Sequence, residues 1–243
     1  MGKLFLARTG GLSVDRARRI AGVVLPGAVL MLFLAGGAQA TTSTWTASGT
    51  GGDGPVDASA TITTGTNSLT VTLQSLEGNP TAAGQEVSDI EIGFNNTPSS
   101  ASLSNSSGTL IDIASNGTFN VVTGPITHWV ASLDMGQILL ATAGGGSMGK
   151  PIDLIIGPPD SGGTYSNANP SITGRNPQIQ DTVTFNLAAN GLGPTSIVSS
   201  VKFSFGTGPD FKLPGVRKVP EPTSIALLGT SLIGIAFMLR RRR

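Results

Sequence analysis

The chain has 243 residues, no cysteine and a near balance of 15 basic and 14 acidic residues. That length holds one or two domains, and the lack of cysteine excludes a disulfide framework and a Cys/His zinc site. Between Thr41 and Val216 stand four basic residues, Lys150, Arg175, Lys202 and Lys212, against twelve acidic ones, a balance of −8. So acidic a stretch repels a phosphate backbone, which excludes nucleic acid as a partner.

In chain order, Met1–Ala40 comes first and reads as a secretory signal peptide. Lys3, Arg8, Arg16, Arg18 and Arg19 form a basic front, and Ile20–Leu34 is an apolar run of 15 residues, short for a membrane span. Ala38-Gln39-Ala40 is the small-x-small pattern a signal peptidase accepts, which places cleavage after Ala40. No twin-arginine motif surrounds Arg18-Arg19, so general secretion is the expected route.

Residues 41–218 alternate with period two. Leu69, Val71 and Leu73 share one face of Ser68–Gln74; Ile90, Ile92 and Phe94 oppose Asp89 and Glu91. Val183, Phe185 and Leu187 oppose Thr182, Thr184 and Asn186, and Val201, Phe203 and Phe205 oppose Lys202 and Ser204. One apolar face per strand is the mark of antiparallel sheet half exposed to water. Asn116-Gly117 within Leu110–Val122 signals a hairpin, because both residues tolerate positive φ, and Asp134-Met135-Gly136 signals a second turn. No stretch carries a capped apolar stripe of helical period. The expectation is an all-β fold: one antiparallel β-sandwich or jelly roll of nine to eleven short strands over residues 41–218, with long Gly/Pro-rich loops at Thr50–Asp57, Ala143–Pro151 and Gly157–Pro170.

Two motifs in Ala143–Pro151 fail on context. Gly144 to Gly149-Lys150 fits a phosphate loop, but Pro151 stands where Ser or Thr must ligate magnesium, and a strand-like PIDLIIG follows in place of a helix. Gly145–Gly149 fits a nucleophile elbow around Ser147, yet the single histidine, His128, precedes that serine and no helix follows it. Paired carboxylates for glycoside hydrolysis remain open, as Glu77 or Glu86 with Glu91. Asp89 and Glu91 alternate on an outward face, where solvation explains them. Asp53 and Asp57 in GGDGPVD offer two calcium ligands, without the ligand density of an EF-hand loop.

Exposed aromatic rings stack on sugars, and the middle region offers Trp45, Trp129 and Tyr165. Trp129 alternates with Ala131 and Leu133, which points to the core, whereas Tyr165 in SGGTYSNANP is expected at the surface. The two are the candidate ligand contacts. Threonine alternation in TITTGTNSLTVT is similar to the Thr arrays of ice-binding proteins, but it shows on one or two strands only, and Thr suits any solvated strand face.

The chain closes with VPEPTSIALLGTSLIGIAFMLRRRR. Pro220, Glu221 and Pro222 hold an extended stretch. Thr223–Leu239 is 17 residues without charge, the lower limit for a bilayer span, and Arg240, Arg241, Arg242 and Arg243 hold the end on the cytoplasmic side. These three elements in order resemble the PEP-CTERM sorting signal, over residues 219–243. The resemblance implies a Gram-negative bacterium with an exopolysaccharide system and an exosortase that cuts near the Pro-Glu-Pro. It also implies an inner-membrane precursor and a mature protein at the cell surface or outside the cell.

Together these features give an exported surface or biofilm-matrix protein, non-catalytic and without a cofactor, associated with extracellular polysaccharide. Its processing partners are signal peptidase and exosortase. The alternatives are a carbohydrate-active enzyme, hydrolase or lyase, and a permanently membrane-anchored surface domain.

Overall fold

The computed structural model describes residues 40–142, 151–207 and 211–219. The signal-peptide segment before Ala40, the glycine-rich motifs with Ser147 and Lys150, and the tail from Pro220 with its span lie outside the described residues. Among those described, no helix is long and apolar enough to cross a membrane.

The described residues form thirteen strands: β1 (Thr41–Gly51), β2 (Gly54–Gly65), β3 (Ser68–Ser75), β4 (Val87–Phe94), β5 (Ser100–Ile113), β6 (Phe119–Val122), β7 (Trp129–Asp134), β8 (Gln137–Thr142), β9 (Ile155–Ile156), β10 (Gln178–Asn190), β11 (Val198–Phe205), β12 (Phe211–Pro214) and β13 (Val216–Lys218). Helix is confined to a 3-10 turn at Ala83–Gln85 and one short helix, α1 (Pro170–Thr173), opened by Asn169, whose side chain accepts from the Ser171 N–H. The all-β class is as the alternation predicts. The strand number exceeds the expectation because β9, β12 and β13 are too short to show a period.

Pairing is antiparallel throughout except between β9 and β10, which makes one connected, mixed sheet. It has two large parts. One contains β4 between β11 and β8, extended by β12 and β7; the other contains β13, β1, β2, β3, β10, β5 and β6. Two-residue β9 joins them, pairing with Val87 of β4 on one side and with β10 on the other. On β10, Asp181 adopts a left-handed φ of 56° where the register to β5 shifts between Gln180 and Val183. That bulge ends the pairing with β9 and begins the pairing with β3.

The main core draws on both parts: Ile62, Val71, Leu73 and Phe185 from one, Ile90, Ile92, Leu140 and Phe203 from the other, all buried. Phe211 and Leu213 of β12 lie against Gly51 and Gly49 of β1, where a Cβ would leave them no room. A second, smaller core gathers Ile111, Ile113, Leu154, Ile156, Tyr165 and Ile172.

One loop expectation is corrected and one holds. Thr50–Asp57 is not a long loop, since β1 and β2 run on to Gly51 and Gly54 and leave Gly52-Asp53 as the turn. The stretch from Gly157 to α1 is a loop as expected, held by the Asp160 carboxylate, which accepts from the N–H groups of Gly162 and Thr164 and from the hydroxyls of Thr164 and Ser166. The Ser166 hydroxyl and the other bonds hold the Asp160 pKa down at about 2.

The threonine alternation extends further than the sequence suggests. Thr42, Thr63, Thr70, Asn186 and Asn105 stand in register across β1, β2, β3, β10 and β5, as do Thr44, Thr61, Thr72, Thr184 and Ser107. Within these rows the side chains bond one another: Thr42 with Thr63 at 2.9 Å, Thr70 to Asn186 at 2.9 Å, Thr72 with Thr184 at 3.1 Å, and Asn186 to Asn105 at 2.7 Å.

Candidate functional site

Neither aromatic candidate offers a ring to a ligand. Trp129 is 2% exposed, packs on Phe185 with ring centroids 4.8 Å apart, and donates its indole N–H to the Asp153 carbonyl at 2.7 Å. Tyr165, expected at the surface, is fully buried. Its backbone N–H donates to Gly117, its hydroxyl to the Gly157 carbonyl at 3.0 Å, and its ring meets Phe119 edge-on. A polar loop sequence concealed an apolar anchor, because the loop folds back over the second core.

The predicted acids also separate. Glu77 lies in the loop after β3, and partial burial, with the Asp57 charge, raises its pKa. Glu86 is wholly buried, and neither carboxylate oxygen has a hydrogen-bond partner. Burial pushes its pKa up to about 8, with Gln178 and Arg175 opposing the shift. Asp53 in the β1–β2 turn lies against Gly84, and Asp57 stands on β2 opposite Ser48. Among the described residues no three acid or histidine side chains converge to hold a metal ion. His128 Nδ1 meets the buried Asp153 carboxylate at 2.8 Å, a pairing the sequence did not suggest.

The site with unused chemistry is a cleft over the outward face of β4. Its cavity volume is about 110 Å³, and it is lined by Ser88, Asp89 and Glu91 of β4, Leu139, Ala141 and Thr142 of β8, Asp134, Pro151, Gly206, Thr207 and Lys212. Glu77 and Glu86 are not in its lining. Asp89 and Glu91 share this face because they are two residues apart on one strand. Solvation does not explain Asp89, which is only 8% exposed, and its Oδ1 has no hydrogen-bond partner. The face is closed over because β4 pairs on both sides, with β8 and β11, and because Lys212 on β12, together with Gly206, Thr207 and Pro151, builds up the rim.

Ser88 reaches the same cleft through a bulge. Asp89 pairs with Ser204 and Val87 with Phe205, so Ser88 is the extra residue, and a bulge re-aims its side chain. Ser88 is 7% exposed and its hydroxyl is unpartnered.

The two acids of the face have opposite fates. Glu91 Oε2 accepts from Lys202 Nζ at 3.0 Å, and its Oε1 is bonded by Lys212. Partial burial pushes the Glu91 pKa up, but the two lysines more than offset it and the net shift is downward. Burial raises the pKa of Asp89, opposed by Ser204 and Lys212 and reinforced by the Glu91 charge. Two of the four basic residues between Thr41 and Val216 are therefore spent on Glu91, and among the described residues no lysine or arginine bonds Asp89. That scarcity of lysines was the signal available in the sequence.

Beyond the sheet, residues 218–243 match the PEP-CTERM protein-sorting motif. The chain carries an exosortase sorting signal. PEP-CTERM sorting makes it an exported protein whose precursor is membrane-anchored for processing by exosortase. Pro220, Glu221 and Pro222 fall inside the match, as do Arg240–Arg243. The motif begins where the sheet ends: Lys218, the last residue of β13, stands opposite Thr44 of β1. The residue after the predicted signal cleavage, Thr41, opens that same β1, so both ends of the domain lie along one strand pair. No curated protein and no solved structure matches the chain.

Proposed function

We propose that the protein is a non-catalytic component of the bacterial surface or extracellular matrix, a β-sandwich associated with polysaccharide and delivered by its tail. The PEP-CTERM match at residues 218–243 carries this reading, since it ties the chain to export and exosortase. The sandwich description rests on the single core that both parts of the sheet share. The mature protein has left the inner membrane for the surface or the medium.

The alternative is a carbohydrate-active enzyme, and one observation favours it: Asp89 and Glu91 share a cleft with pKa values pushed apart, as an acid and a base are. Against it, both Glu91 oxygens are held by lysines, so Glu91 is not free to attack or to activate water beside Asp89. Incubating the protein with exopolysaccharide of its host and then sedimenting and sizing the polymer decides between them. Co-sedimentation with polymer of unchanged length is expected. Shortened polymer would establish the enzyme, and no co-sedimentation would remove polysaccharide as the partner.

A further inference from the structure

We propose that the cleft of Asp89 and Ser88 is a binding site for an uncharged sugar residue, with Asp89 accepting hydrogen bonds from its hydroxyls. This rests on the reading of the domain as polysaccharide-associated and assigns the contact to a place.

A carboxylate oxygen withdrawn from water without a partner is costly, and native structures rarely keep one unless something else supplies the bond. Oδ1 of Asp89 is such an atom, and the Ser88 hydroxyl beside it is another. Both belong to side chains more than nine-tenths buried that line one cleft. The neighbouring acid shows that the fold can satisfy a carboxylate here, because Glu91 has a lysine on each oxygen. The Ser204 hydroxyl, opposite Asp89 on β11, lies close enough to lower its pKa but makes no hydrogen bond, so Oδ1 of Asp89 is left without a donor.

The kind of donor follows from the lining. A metal ion needs several converging ligands, and among the described residues no three acid or histidine groups supply them. Among the described residues, Asp89, Glu91 and Asp134 stand against Lys212 and against Lys202 on Glu91, one net negative charge that disfavours polyanions. What remains is a carboxylate acceptor, a hydroxyl that both donates and accepts, a lysine donor, and the apolar side chains of Leu139 and Ala141. A pyranose presents the matching set, with hydroxyls at its edge and C–H groups on its face.

The test uses the full chain in mild detergent and titrates it with soluble dextran, mannan, galactan and β-glucan, with alginate and chitosan oligomers as charged comparisons. At least one neutral polymer is expected to bind ahead of alginate and chitosan. Asp89→Asn is then expected to weaken that binding about tenfold or more, as loss of a charged hydrogen-bond acceptor does, and Ser88→Ala by a smaller factor. Binding of a neutral polymer that Asp89→Asn leaves unchanged would overturn the cleft while sparing the polysaccharide reading. Preference for alginate or chitosan would overturn the uncharged ligand while sparing the polysaccharide reading, and failure of every polymer, neutral and charged, would overturn both. A second readout separates binding from folding: without ligand, Asp89→Asn relieves an unpaired buried charge and should raise Tm by about 2–4 °C. A lower Tm would show Asp89 to be a structural residue and overturn the site.

Discussion

The outer face of β1, β2, β3 and β10 and the cleft over β4 are built from the same kind of surface, the polar side of a period-two strand. They treat their polar groups in opposite ways. On the first face, threonines and asparagines stand in register and bond across the strands, and the positions between Thr42 and Asn186 carry no charge. In the cleft, Glu91 is paired twice over while Asp89 and Ser88 beside it are left with unpartnered atoms. A polar surface that satisfies itself is part of the scaffold, whereas one that withholds partners from buried groups is prepared for something that arrives from outside.

The strongest way to break this contrast is to remove what both regions rest on. Phe185 is fully buried and packs on Trp129 within the core shared by the two parts of the sheet. Phe185→Ala is expected to cost about 3–5 kcal/mol, measured by denaturant unfolding, with loss of both regions at once. If the two parts unfolded in separate transitions, the shared core would not be their common support.

Glu86 sharpens the comparison from behind the cleft, since its carbonyl accepts from the N–H of Gly206, a lining residue. Its folded pKa of about 8 lies above the ordinary carboxyl value of 4.5, so the folded state binds the extra proton between those values. Stability is therefore full below about pH 4.5 and falls as pH rises through about 8, by an amount on the order of a few kcal/mol. Glu86→Gln should flatten that slope in a series of melting curves from pH 5 to 9. A slope that survives the substitution would assign it to other groups.

Smaller effects distinguish the paired acid from the self-satisfied face. Glu91→Gln frees Lys202 and Lys212, and because these pairs are partly exposed it should destabilise by no more than about 1 kcal/mol, less in high salt. Thr72→Val with Thr184→Val removes both members of one bonded pair on the outer face, and the double variant should lie within about 0.5 kcal/mol of the parent. A loss well beyond that would mean the hydroxyl rows hold the sheet together rather than merely solvate it.

The alternation of Leu69, Val71 and Leu73, of Ile90 and Ile92, and of Val183, Phe185 and Leu187 made the strands and their buried faces readable, because each strand carries that information within itself. The turns at Asn116-Gly117 and Met135-Gly136 were readable for the same reason, with positive φ at Gly117, Met135 and Gly136. Register is not local. Nothing in TITTGTNSLTVT tells that Thr61 will face Thr44 and Thr72, or that Thr72 will face Thr184, more than 100 residues away. Burial of a polar residue is equally non-local: Asp89 looks solvated until β8, β11 and β12 close around β4, and Tyr165 looks exposed until its loop folds back onto Ile111, Ile113 and Ile172. The sorting signal was wholly legible, since Pro-Glu-Pro, an uncharged run and an arginine cluster are read in order along the chain.

That signal also holds the central claim, and mass-spectrometric mapping of the mature C-terminus, in cells with and without exosortase, tests it most directly. With the enzyme present, the mature chain should end near Pro220–Pro222 and lack Arg240–Arg243, and without it the full tail should accumulate in the membrane. An intact Arg240–Arg243 end in cells that carry exosortase would contradict sorting and leave the protein a permanently anchored surface domain.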